Sequence, residues 1–384
     1  MSGFKSSPRI LLLTPPMPTS PKYGFHLGDI RAPLGLGYIA GYLRSCGFQP
    51  SICDIYAGDK LPSLGGVEAI GIQVNSACYE EASILAREIR SQGFKGKLIA
   101  GGAHPTILPD TLLRYFDHVV RGEGEYVLRG ILDESLRDRV IVAGRIENLD
   151  DLPRVPYELF SAPKYNRTIE ECPSVKNVYT YSSSRGCPNR CEFCSTRGIY
   201  GRRWTYHSVE RVLDDIGYLI SDHNSKGIYF REDNFTASKQ RLVSFCEEVL
   251  SRGLEFSWKC ESRVDLTNNQ ISLMKRAGCV SLYVGIETGS PKLLKRYKKD
   301  ITVDQIHRFV RTCKSEGIKV YGSFLTETPY EEEEDRIATN TLISQLKLDR
   351  VNVSKYIAMP GSVLYEEIIR NPSLADRYDT QVIR

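Results

Sequence analysis

The stretch Ser184-Arg185-Gly186-Cys187-Pro188-Asn189-Arg190-Cys191-Glu192-Phe193-Cys194 decides how the rest of the chain is read. It places three thiols with three and then two residues between them, and Gly186 and Pro188 flank the first with residues that bend a backbone. Such a loop can turn its sulfurs inward around one soft metal centre. A structural zinc site would close with four ligands from two separated pairs, and no second Cys-x-x-Cys or histidine pair is present. A cubane 4Fe-4S cluster also takes four ligands, so three thiolates leave one iron open to a substrate or cofactor.

Working outward, the triad follows the first of six short apolar runs, at 178–182, 227–230, 255–260, 280–285, 319–324 and 351–357, which read as strands. Helical patterns occupy 207–222, 237–252, 267–277, 291–296, 303–316 and 331–346. Six consecutive β-α units predict a partial (β/α)6 barrel of the TIM type, whose reactive end is formed by the loops after the strands. Upstream, strands are expected at 9–14, 49–55, 67–74 and 97–101, with a short fifth from 118 and helices at 35–45 and 79–92. That alternation predicts a doubly wound, Rossmann-like α/β domain with a ligand crevice at the carboxyl ends of its strands. Between the halves the periodicity fades, and prolines at 153, 156, 163 and 173 interrupt helices and central strands. The expected division is a first domain at 1–147, a linker at 148–174, and a barrel with a short C-terminal extension at 175–384.

The composition fits this α/β reading. With 384 residues, 41% hydrophobic and 26% charged, the chain has material for about two domains and is neither disordered nor of low complexity. A formal charge of +4 gives no case for nucleic-acid or membrane-surface binding through bulk charge. No apolar run approaches the roughly 20 residues of a membrane span, and the N-terminal run is too short for a signal peptide. Most of the eleven cysteines sit singly in apolar segments, as free thiols do in a reducing compartment. The expected location is the cytoplasm.

From residue 178 to about residue 365 the sequence resembles the radical S-adenosylmethionine superfamily, including the aromatic Phe193 just before the last cysteine. The resemblance implies that Cys187, Cys191 and Cys194 ligate a 4Fe-4S cluster whose open iron chelates the amino and carboxylate groups of S-adenosylmethionine. An electron from the cluster would then release methionine and a 5′-deoxyadenosyl radical that takes hydrogen from an unactivated carbon. Further matches fall at strand ends. Glu232 and Asp233 in Phe230-Arg231-Glu232-Asp233-Asn234-Phe235 resemble the acidic loop that contacts the methionine amino group. Glu261 and Arg263 in Trp258-Lys259-Cys260-Glu261-Ser262-Arg263 are the candidates to hold the methionine end or the substrate. Glu287 and Ser290 in Val284-Gly285-Ile286-Glu287-Thr288-Gly289-Ser290 resemble ribose-contacting positions. Any one such loop also reads as an ordinary helix start, with a capping side chain and acids near the dipole. One departure is Phe324-Leu325-Thr326-Glu327-Thr328-Pro329-Tyr330, where relatives commonly carry a glycine-rich turn.

The first half resembles the cobalamin-binding-like domain of one branch of that superfamily, through Arg31-Ala32-Pro33-Leu34-Gly35, Gly101-Gly102-Ala103-His104-Pro105 and Val120-Arg121-Gly122-Glu123-Gly124. The resemblance implies a corrin site that includes Tyr56, Ser76, Gly101, Gly102, His104 and Glu123. In Asp54-Ile55-Tyr56-Ala57-Gly58, Tyr56 stands where many cobalamin proteins have a cobalt-ligating histidine, so no protein imidazole is expected below the cobalt. His104 is read equally as a corrin contact or an ordinary loop histidine. The leading expectation is a cobalamin-dependent radical methyltransferase acting on a small metabolite, with electrons from a flavodoxin or ferredoxin and no nucleic-acid or membrane partner. The alternatives are a radical cyclase, dehydratase or oxidoreductase with a vestigial first domain, and a non-enzymatic cluster scaffold.

Overall fold

A computed structural model describes residues 8–18, 29–161 and 165–378. The chain forms two compact units that divide between Asn166 and Arg167.

The first unit is built on a six-stranded sheet of β1 (Arg9–Thr14), β2 (Gln49–Asp54), β3 (Val67–Gln73), β4 (Lys97–Gly101), β5 (His118–Arg121) and β6 (Val140–Val142). The order is β2-β1-β3-β4-β5-β6 and every pairing is parallel. The chain runs outward from β1 in both directions, so the strand order reverses between β1 and β3 and opens a crevice beyond their carboxyl ends. Central strands buried on both faces explain the unbroken apolar runs: Leu11, Leu12, Leu13, Ile70, Ile72, Leu98 and Ala100 are all buried. The sixth strand adds to the five expected; at three residues it is too short to carry a period.

In the second unit β9 (Val178–Tyr181), β12 (Gly227–Phe230), β13 (Ser257–Ser262), β14 (Cys279–Glu287), β15 (Lys319–Thr326) and β16 (Arg350–Lys355) pair in sequence, all parallel. Among the described residues no pairing joins β16 to β9, so the sheet is an open partial barrel. On its helix-facing side Phe230, Phe235, Phe245 and Trp258 form an aromatic cluster of edge-to-face and tilted ring pairs, with centroids 4.4 to 5.8 Å apart.

Where the fading period predicts a linker there is a small hairpin, β7 (Thr168–Ile169) and β8 (Cys172–Lys176). Pro173 is tolerated because β8 belongs to a two-stranded ribbon, while Pro163 lies outside the described residues. The hairpin turn inserts Glu171, whose carboxylate meets the Lys259 ammonium at 2.8 Å and the Ser281 hydroxyl at 3.0 Å. Both charges of this pair are buried, and Lys259 also lies 5.0 and 5.3 Å from the rings of Tyr229 and Tyr321. The pair closes the amino-terminal end of the strands, leaving their carboxyl ends for chemistry.

Candidate active site

The cysteine triad lies on a hairpin. β10 (Ser184–Gly186) pairs antiparallel with β11 (Trp204–Tyr206), and the three cysteines and the short helix Thr196–Tyr200 fill the connection. Gly186 has a φ of +82°, and a Cβ there would meet the Arg203 carbonyl at 2.2 Å, so only glycine lets the chain turn into the loop.

Asp233, after β12, ties the loop at both ends. Its carboxylate accepts from the Gly186 amide at 3.1 Å and from the Thr196 hydroxyl at 2.8 Å. Glu232 lies deeper. It accepts from the Ser183 hydroxyl at 2.8 Å and from the Ser184 hydroxyl, so it fixes the strand that leads into the loop. Burial raises its pKa, opposed by the nearby Arg241 guanidinium and the serine hydrogen bonds.

The middle of the loop is held from the other side. Glu192 is buried and receives Arg296 and, at 2.6 Å, Lys298, while Phe193 packs edge to face on Tyr297. Arg263 places Nη1 3.7 Å from the Cys191 sulfur and gives Nη2 to the Lys299 carbonyl; its buried Nε has no partner among the described residues. The Lys299 ammonium pairs with Glu287 at 2.7 Å, both side chains nearly buried, and stands 5.7 Å from the Phe193 ring. Glu287 holds a left-handed φ of +70° at the strand end. Arg263, Lys299 and, through Lys299, Glu287 thus gather beside the loop at Cys191 and Phe193, and Lys299 has no motif that would have flagged it in the sequence.

Two other expected residues take different positions. Ser290 caps the helix Pro291–Arg296 through the Leu293 amide and donates to Asp335 at 2.6 Å, the ordinary helix-start geometry. Glu261 accepts from the Tyr229 hydroxyl at 2.7 Å. In the departing turn, Glu327 and Tyr330 adopt φ of +55° and +70°, keeping without glycine the left-handed backbone that glycine makes easy.

The three thiols fit an iron–sulfur cluster. All eleven cysteines are free, and these three are only half-buried, unlike Cys246, Cys260, Cys279 and Cys313. Among the described residues no three Cys, His, Asp or Glu side chains are arranged to hold a single ion. Thiolates on separate irons of a cubane have no need to converge on one point. Burial raises the Cys194 pKa, opposed by hydrogen bonds to Thr196.

In the first unit, the crevice end of β3 and β4 carries an orphan. Gln73 pairs with Gly101 in register, and its buried Oε1 has no partner among the described residues. Among the described residues a Cβ at Gly101 would meet nothing within 4 Å, whereas Gly102 has φ +112° and a Cβ there would meet the Val74 carbonyl at 2.8 Å. Gly101 therefore borders open space and Gly102 serves the backbone turn. The open space and the unpaired amide oxygen suit a bulky polar ligand such as a corrin. Tyr56 is half-buried beside Ile30, Ala57 and Tyr165, on a loop organised by Asp54, which accepts from Thr14, Tyr165 and the Ala57 amide.

Ser76, His104 and Glu123 are buried and bonded within the domain. His104 shares 3.1 Å and 2.9 Å hydrogen bonds with Ser76 and Thr111 and stacks on Tyr79; burial lowers its pKa to about 4. Glu123 accepts from the Ile146 amide at 2.6 Å and faces Arg145.

Residues 181–343 match the Radical SAM superfamily and residues 23–132 match the B12 binding domain. An uncharacterised methyltransferase of Pyrococcus horikoshii is 31% identical over 94% of this chain and 83% of its own. The bacteriochlorophyllide d C-12(1)-methyltransferase of Chlorobaculum tepidum is 23% identical over 98% of this chain and 82% of its own. Among solved structures, the radical S-adenosylmethionine methyltransferase TsrM of Kitasatospora setae has the same fold, with TM-score 0.73 over 95% of this chain and 75% of its own at 18% identity. The chain belongs to the cobalamin-dependent radical S-adenosylmethionine methyltransferase family. It is an enzyme that takes a 4Fe-4S cluster, S-adenosylmethionine and cobalamin. Among the described residues no helix is long and apolar enough to cross a membrane.

Proposed function

We propose that this enzyme transfers a methyl group to an unactivated carbon of a small metabolite, in a reducing cytoplasm, with low-potential electrons from a flavodoxin or ferredoxin. When bound, the cofactors supply a 5′-deoxyadenosyl radical and a methyl-carrying corrin. Cys187, Cys191 and Cys194 are assigned as ligands to three irons, and Arg263 as a hydrogen-bond donor to one thiolate. Its unpaired Nε and the Glu287–Lys299 pair are assigned to orient the anionic and hydroxyl groups of S-adenosylmethionine. Asp233 and Glu232 hold the hairpin in the shape the thiols require. Glu261 and Tyr229 are assigned to position the substrate. In the first unit Gly101 and Gln73 are assigned to the corrin or its tail, Tyr56 to the space below it, and Gly102, Ser76, His104 and Glu123 to the walls of the crevice.

The observation that carries this reading is the orphaned Gln73 oxygen at the carboxyl end of β3, which borders the switch point, paired in register with the uncrowded Gly101 on β4. The cyclase alternative draws on a 24% likeness over 88% of this chain to the anaerobic magnesium-protoporphyrin IX monomethyl ester cyclase of Rubrivivax gelatinosus, whose own chain is covered to 66%. Equilibrium dialysis against hydroxocobalamin under anaerobic conditions separates the two. Stoichiometric binding is expected, and its absence would remove methyl transfer and leave a radical enzyme with one cofactor.

A further inference from the structure

Charge is unevenly placed on this chain. The hairpin from Ser184 to Tyr206 holds five arginines and one acidic residue, an excess equal to the +4 of the entire protein. The one acid, Glu192, is buried and already shared by Arg296 and Lys298, so it offsets none of the hairpin's own cations at the surface. Arg190, Arg197 and Arg202 are exposed. Arg190 meets Asp300 at 3.3 Å with both side chains more than half exposed, and such a pair leaves most of its field in solvent. Lys298, also half exposed, adds a further cation beside the loop.

These cations lie on the connection that carries the thiols. Arg190 precedes Cys191 directly, Arg197 sits in the helix Thr196–Tyr200 behind Cys194, and Arg202 follows the Gly201 turn, whose amide bonds back to the Arg197 carbonyl at 2.8 Å. The hairpin is also stiff, because Asp233, Glu192 and the Phe193–Tyr297 contact pin it on two sides. A rigid, basic, exposed surface within a few residues of a redox centre has the charge to steer and orient an acidic carrier.

We propose that Arg190, Arg197 and Arg202 form the docking surface for an acidic one-electron carrier protein, and that the electron enters through this face of the cysteine hairpin. The proposal rests on the reading of the triad as cluster ligands. In the transfer the carrier is oxidised by one electron and the cluster reduced by one, with no bond made or broken. A flavodoxin in its hydroquinone form becomes the semiquinone.

The test uses the reconstituted full-length enzyme and compares two reductants. Chemical reduction by dithionite needs no docking, whereas reduction by flavodoxin hydroquinone does. The Arg197→Glu, Arg202→Glu double variant is expected to form 5′-deoxyadenosine at the wild-type rate with dithionite. With flavodoxin its KM for the carrier should rise about tenfold or more, in line with the leverage of charge over association. Isothermal titration with oxidised flavodoxin at low salt provides a readout without turnover: binding by the wild type, weakening steeply with added salt, and loss in the double variant. An Arg197→Gln, Arg202→Gln pair, milder for folding, should fall between.

Unchanged KM and unchanged titration in the double variant would overturn the proposal. So would an equal loss with both reductants, which would assign the arginines to the cluster itself, or a wild type that shows no titration with flavodoxin but binds a single-stranded RNA oligonucleotide that the double variant does not. Failure of the underlying reading has its own signature, no deoxyadenosine from the wild type with dithionite.

Discussion

Arg263 reaches the Cys191 sulfur with Nη1 at 3.7 Å while its Nη2 bonds the carbonyl of Lys299, so one guanidinium joins the end of β13 to the cysteine loop and to the Glu287–Lys299 pair. A donor aimed at a cluster thiolate stabilises its negative charge and raises the reduction potential. Replacing Arg263 with Gln should shift the midpoint of the cluster to more negative potential in an EPR-monitored titration, with iron content retained. Arg263→Lys should return part of the shift. An unchanged potential in both variants would remove Arg263 from the cluster's surroundings.

Asp233 should matter to cluster retention and little to folding, because it is exposed yet bonds both ends of the loop. Asp233→Ala frees the Gly186 amide and the Thr196 hydroxyl together. Iron release to a chelator should become about tenfold faster, the scale typical of lost outer partners. Circular dichroism and the melting temperature should stay near wild type, and a large fall in either would mean the loop is part of the folding core.

The neighbouring glycines Gly101 and Gly102 should respond oppositely. Gly102→Ala forces a side chain into positive φ and against the Val74 carbonyl, and should destabilise the first unit by about 1–3 kcal/mol. Gly101→Val enters open space, so it should fold normally and lose cobalamin. Gln73→Leu should likewise fold well, since it removes an unpaired buried oxygen, and bind cobalamin more weakly. Thermal melts paired with dialysis measure all three; cobalamin affinity unaltered in Gly101→Val and Gln73→Leu would move the corrin away from this strand end.

His104 makes the stability of the first unit dependent on pH. Its folded pKa of about 4 lies below the ordinary 6.5, so as pH falls the unfolded chain takes up a proton before the folded one does. Stability is therefore full above pH 6.5 and declines toward pH 4, by on the order of 3 kcal/mol at most for so large a shift. Denaturant unfolding of wild type and His104→Gln across that range checks it. The variant should start less stable, having lost ring contacts with Tyr79, and should show a shallower slope.

The sequence discloses these features unequally, for physical reasons. The triad is a local pattern and is readable because its ligands are neighbours in the chain. The parallel strands are readable because burial on both faces leaves apolar runs such as 9–14 and 97–101. The three-residue strands β6, β10 and β11 are too short to show a period, and the Glu171 turn lies in a proline-broken stretch that resembles a linker. The roles of Glu232 and Ser290 depend on partners 48 and 45 residues away, Ser184 and Asp335, which no local spacing encodes. Lys299 enters only because the chain doubles back after the helix Pro291–Arg296. The difference between Gly101 and Gly102 is a difference in φ and in what faces the missing Cβ, which the letters alone do not carry.

The most direct test of the central claim is the nucleoside yield of the anaerobically reconstituted enzyme, loaded with cobalamin and supplied with S-adenosylmethionine and dithionite. A cobalamin-dependent radical methyltransferase releases both 5′-deoxyadenosine, from the radical step, and S-adenosylhomocysteine, from methylation of the reduced corrin, and both should vanish or fall to background as Cys187, Cys191 and Cys194 are replaced by Ala for the first and as cobalamin is withheld for the second. Deoxyadenosine without S-adenosylhomocysteine from a fully loaded enzyme would contradict methyl transfer, and the absence of both would contradict the account as a whole.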